Sequence, residues 1–98
     1  MLNKKTLVIG MTVRVIDIKA NTAGVYHDDC RDLLRGGISL YALDKVNEVE
    51  AVVTVGGELT ITKLPRKVHG VNLCRVKTKD GFEGEVFWTE LRSNCVGN

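Results

Sequence analysis

The chain has 98 residues, a formal net charge of +2 and 44% apolar side chains. That length supports one domain with a single modest core, and the apolar content argues against disorder along the whole length. So small a charge does not by itself imply nucleic acid. Three cysteines with no Cys-x-x-Cys argue against a disulfide framework and point to a reducing, cytoplasmic setting.

Residues 1–9 read as a flexible lead or an edge strand, and their Leu7-Val8-Ile9 run is too short for a signal-peptide core or a membrane span. Thr12 to Ile18 alternates as a first strand, introduced by Gly10. Asp28 to Gly36 predicts one short helix, with acids at its amino end, Cys30, Leu33 and Leu34 on one face, and a glycine stop. Ile38 to Leu43 fits either a strand or a helical turn. Glu48 to Val55 and Glu58 to Leu64 predict a hairpin joined at Gly56-Gly57 and ended by Pro65, which has no amide proton for the ladder.

Val68 to Gly70 reads as a loop before the most informative stretch, Val71 to Leu91. Val71 to Thr78 predicts a strand, and Asp80-Gly81 a tight turn in which the glycine takes the positive φ. The returning strand opens at Gly84, whose missing side chain signals a close backbone approach or a bulge. A polar step ends in Leu91, and residues 93–98 read as a flexible tail. The fold expected is mainly β, a small bent barrel with one short helix inserted in its first long loop. Its core should gather Val13, Val15, Val53, Ile61, Val76 and Val86.

Val76, Asp80-Gly81, Gly84-Glu85-Val86 and Leu91 resemble the closing motif of the bacterial Src-homology-3 family of small barrels. Gly57 with Leu59 and Ile61, and Val13-Arg14-Val15, resemble its central and opening strands, so the likeness lies mainly within residues 46–91. Glu85 stands where that family usually has tryptophan, and Trp88 is positioned to supply the ring instead. A weaker resemblance joins residues 10–25 to the KOW-type barrels that touch RNA, through Gly10-Met11-Thr12-Val13-Arg14-Val15-Ile16 and Gly24-Val25.

The Src-homology-3 resemblance implies a non-catalytic module that holds a protein or peptide, acting as an adaptor or inhibitor of the kind found among phage and mobile-element accessory proteins. Its contact residues would be an aromatic rim of Tyr26, Tyr41, Phe82 and Trp88, with Asp28 and Asp29 of an acidic first loop. Trp88 should then sit half exposed. The plainer readings are that Trp88 closes the barrel end and that Asp28 and Asp29 cap the helix.

A competing expectation is RNA or DNA contact through Arg14, Arg66, Lys67, Arg75, Lys77 and Lys79, of which the last three share strand parity. A third is a self-assembling subunit that pairs through edge strands. His27, Cys30, His69 and Cys74 include a His-x-x-Cys spacing, but Cys74 alternates with core residues, so no metal and no cofactor is expected. The common nucleophile, phosphate-loop and metalloprotease motifs are missing, and no catalytic residue is assigned.

Overall fold

A computed structural model describes residues 2–16 and 37–97. They form seven strands and one helix: β1 (Thr12–Val15), β2 (Gly37–Tyr41), β3 (Val49–Thr54), β4 (Glu58–Val68), β5 (Val71–Thr78), β6 (Glu83–Phe87), α1 (Trp88–Asn94) and β7 (Cys95–Gly97). The strands join one antiparallel sheet in the order β3-β2-β6-β5-β4-β1-β7. The chain is therefore mainly β. No helix among the described residues is long and apolar enough to cross a membrane. The helix expected over Asp28 to Gly36 lies outside the described residues.

Alternation builds the core. Val13, Val15, Ile61, Val76 and Val86 are fully buried in one cluster with Leu40, Leu59 and Leu91, and Val53 packs against it half buried. These residues come from six strands and α1, remote in sequence, and only a bent sheet brings their apolar faces together. Ile38 to Tyr41, ambiguous in sequence, is strand with every residue buried.

Five expectations are corrected. Residues 48–64 do not form a hairpin: β3 pairs with β2, while β4 pairs with β1 on one side and β5 on the other. Both edges of β4 are thereby filled, so β3 has to turn away at residues 54–57. The corner is held by β1, where Gly56 N–H donates to Val15 O at 2.7 Å and Val15 N–H donates to Gly57 O at 3.0 Å. Pro65 does not end β4, because a register shift between Lys63 and Arg66 takes the proline where no ladder proton is needed.

The loop expected at Val68 to Gly70 is a two-residue turn, with φ of +50° at His69 and +79° at Gly70, closing a long β4–β5 hairpin. At the chain ends, residues 93–97 are not a flexible tail, since they finish α1 and form β7, which pairs with β1 and buries Cys95. Residues 2–9 are likewise neither a flexible lead nor a strand: Leu7 N–H donates to Asn3 O at 3.0 Å, and Leu2 and Leu7 enter the core.

The last hairpin follows its sequence signal closely. Gly81 has φ of +98°, and β5 spans Val71–Thr78. Gly84 lets β2 approach β6: a Cβ there would lie 2.9 Å from Tyr41 O.

Candidate functional site

A groove of about 590 Å³ lies among the described residues between β3, the β3–β4 corner and the β5–β6 turn. Ala51 to Thr54 form one wall, with Gly56 to Glu58 at the corner, Thr78 to Asp80 and Phe82 opposite, and Arg14 of β1 at one side. Its shape is set by short-range bonds. At the turn, Thr78 N–H donates to Phe82 O at 2.7 Å, Phe82 N–H donates to the Thr78 hydroxyl oxygen at 3.0 Å, and that hydroxyl donates to Asp80. At the corner, Gly57 N–H donates to Thr54 O at 2.9 Å, and a Cβ on Gly57 would lie 2.4 Å from Val53 Cγ1. Only glycine permits so close a crossing.

Electrostatically the groove is balanced, with Arg14 and Lys79 matched by Glu58 and Asp80 along its lining. Arg14 and Lys79 are exposed and have no ion-pair partner among the described residues. Asp80 accepts from Thr78, and Glu58 has an interaction of its own. Phe82 is half buried and packs on the core, leaving part of its ring to the groove.

The expected aromatic rim does not assemble as such. Trp88 is only 5% exposed and belongs to the core, so the half-exposed position is corrected. It opens α1 beneath the N-terminal turn, whose Leu2 and Leu7 share its cluster and whose Lys4 Nζ stands 6.0 Å from the ring. Tyr41 is buried too, stacked on Phe87 with centroids 5.0 Å apart. Phe82 alone of these lines the groove, and Tyr26, Asp28 and Asp29 lie outside the described residues.

Nor do the six basic residues form one stripe. Arg66 and Arg75 are tied to two carboxylates. Arg66 donates to Glu85 Oε1 at 3.1 Å and also to Oε2, and Arg75 donates to Oε2 through Nε at 3.3 Å and a terminal nitrogen at 3.0 Å. Both arginines also reach Asp44 Oδ1, at 3.0 and 2.9 Å, and the Asp44 amide donates to Glu85 Oε2 at 2.9 Å. Two cations and two anions cancel, which is how a fully buried Glu85 is tolerated.

Burial opposes ionisation of Glu85, but Arg66, the Asp44 amide and Arg75 outweigh it and hold the carboxyl below the ordinary glutamate range. The hydrogen bond from Arg66 does the same for Asp44, an exposed residue at φ of +60°. Of the other basic residues, Lys67 pairs in register with Asn72 near the β4–β5 turn, while Lys77 pairs with Thr60 much farther along the same hairpin. Arg14 and Lys79 are the two brought together at the groove.

Sequence reasoning missed this cluster, although one half was legible. A turn centred on Asp80 places Arg75 opposite Glu85, as the register has it. The other half depends on the bulges of β4 and the positive φ of Asp44, which no local pattern announces.

The His/Cys set does not come together as a described site. The Cys74 thiol lies in the core and donates to Lys63 O at 3.3 Å, while His69 is exposed at the turn, and His27 and Cys30 lie outside the described residues. Burial pushes the thiols of Cys74 and Cys95 up to about 12. No protein-family model matches this chain, and no curated protein or solved structure matches it.

Proposed function

We propose that this chain is a non-catalytic binding module of bent-barrel, Src-homology-3 type that holds a protein or peptide segment in the groove between β3 and the β5–β6 turn. The observation that carries this is the groove itself, with the apolar Ala51, Val53 and Phe82 inside and Arg14 and Lys79 at its margin. Apolar anchors with a few charges around them suit a polypeptide. The proposed rim thus moves from Trp88 and Tyr41 to Phe82 and the β3 wall. An adaptor or inhibitor needs nothing more, and the free, buried thiols of Cys74 and Cys95 favour a reducing, cytoplasmic setting.

The nucleic-acid reading is weaker because Arg66 and Arg75 are already spent on Glu85 and Asp44. The test is selection of peptides from a display library of random dodecamers on the purified chain. Phe82→Ala should weaken the selected peptides about 30-fold, the scale of an aromatic anchor. Charge reversal at Lys67 and Lys77, away from the groove, should leave them bound. Binding that ignores Phe82→Ala and vanishes on those reversals would refute the groove.

A further inference from the structure

We infer that the β2–β3 ribbon is a hinged wall of the groove, that the Asp44 carboxylate latches it to the rest of the sheet through Arg66 and Arg75, and that undoing the latch lets the ribbon tilt. Such a latch goes beyond the binding reading above and does not depend on what the groove accepts.

The ribbon meets the rest of the sheet along a weak seam. The β2–β3 ladder runs from Gly37↔Thr54 to Tyr41↔Val49, and the β5–β6 ladder from Leu73↔Phe87 to Lys77↔Glu83. Between β2 and β6, among the described residues, the register holds at Tyr41↔Glu85 alone. Gly84 faces the same seam, where a Cβ would lie 2.9 Å from Tyr41 O and 3.3 Å from Leu40 Cβ, so β6 presents no side chain there to key into the ribbon. Ile38 and Leu40 bury the inner face of the ribbon in the core. Apolar packing is non-directional and holds the ribbon down without fixing its angle, which falls to directional hydrogen bonds and ion pairs.

Those directional bonds gather at the β2–β3 turn, residues 42–48. Ala42 N–H donates to Glu48 O at 2.8 Å and Lys45 N–H donates to Ala42 O at 3.0 Å, which makes the turn one piece with the ribbon. From it Asp44 Oδ1 accepts from Arg66 of β4 at 3.0 Å and from Arg75 of β5 at 2.9 Å. The Asp44 amide donates to Glu85 Oε2 at 2.9 Å, and Glu85 is the ladder partner of Tyr41 at the seam. The latch therefore reaches three strands of the larger part of the sheet. Its carboxylate is 65% exposed, so both ion pairs are weak and screened by salt. A weak fastening across a narrow seam marks a part that opens locally.

The two walls of the groove lie on opposite sides of this seam. Residues 51–54 ride on the ribbon, while residues 78–80 and Phe82 belong to the β5–β6 turn. At its far end the ribbon is tethered by the bonds of Gly56 and Gly57 to Val15. Release at Asp44 thus becomes a tilt rather than a detachment, and a tilt changes the width of the groove.

The experiment compares the full chain with Asp44→Asn by relaxation dispersion of backbone amides, which reads microsecond-to-millisecond exchange residue by residue. Asparagine keeps the left-handed backbone at this position and removes the charge. The population of the minor state should rise about fivefold in the variant, the scale of an exposed ion pair. The exchange should extend from the turn to residues 51–54 and leave β5 quiet, with the melting temperature lowered by no more than about 5 °C. In about 0.5 M sodium chloride the wild type should approach the variant, and the variant should change little.

Exchange confined to residues 42–48 would overturn the hinged ribbon and leave only a loose turn. Exchange spread evenly over β4 and β5 would make the loss a general one and overturn the latch, as would an equal salt effect in both proteins. Saturation with the dodecapeptide selected above should suppress exchange at residues 51–54 in both proteins; a bound peptide that leaves it unchanged would refute the moving wall. A chain that selects no peptide, yet shows the expected exchange in Asp44→Asn, would refute the binding reading and leave the latch standing.

Discussion

Replacing Glu85 by glutamine tests the neutral cluster with almost no change in shape. In the native protein Oε2 accepts from Arg66, Arg75 and the Asp44 amide, and Oε1 accepts from Arg66. A carboxamide has one acceptor oxygen, so its NH2 must face donors on one side or the other. It also leaves two guanidiniums, 21% and 17% exposed, with only the exposed Asp44 to balance them. Breaking a buried pair in this way costs about 3 kcal/mol, roughly a 2 M fall in the urea midpoint for a domain of this size.

The pH dependence distinguishes charge from packing. The folded carboxyl titrates below its unfolded value, so its contribution is complete above the unfolded pKa and is lost as pH falls through the folded pKa. The gap between wild type and Glu85→Gln should therefore be full at pH 7 and shrink in acid, as the wild-type carboxyl becomes neutral. Urea unfolding followed by Trp88 fluorescence from pH 7 down to pH 3 measures it. A gap under about 1 kcal/mol at pH 7, or one that stays constant into acid, would refute the electrostatic account.

Trp88→Ala should lower stability by about 3–5 kcal/mol in the same unfolding assay, as expected of a buried ring rather than an exposed contact residue. Gly84→Ala should cost more than about 1 kcal/mol, because its Cβ would meet Tyr41 O on β2; amide exchange should show β2 loosening from β6 first. Cys74 and Cys95 should resist iodoacetamide at pH 8 in the folded protein and react on unfolding in urea, with peptide mapping to identify each site.

What the sequence determined by itself is the local geometry of the last hairpin. Asp80-Gly81 sets the turn, the turn sets the register, and the register opposes Arg75 to Glu85 and Val76 to Gly84. The strand alternation likewise marks Val13, Val15, Ile61, Val76 and Val86 as core, because period-two burial is written in neighbouring residues. Only the tertiary structure decided which strands pair. Gly56-Gly57 is as good a hairpin signal as Asp80-Gly81, but β4 has two edges and β1 and β5 take both, leaving β3 to β2 and to the groove.

The same holds for Trp88, whose burial comes from a turn at the other end of the chain, and for Pro65, which a bulge absorbs within β4. Arg66, expected as a nucleic-acid contact, meets Asp44 only because that bulge and a left-handed backbone at Asp44 bring both to Glu85. Turn chemistry and side-chain period act over a few residues and can be read along the chain. Competition for strand edges and compensation of buried charge act between distant segments, and only the folded molecule resolves them.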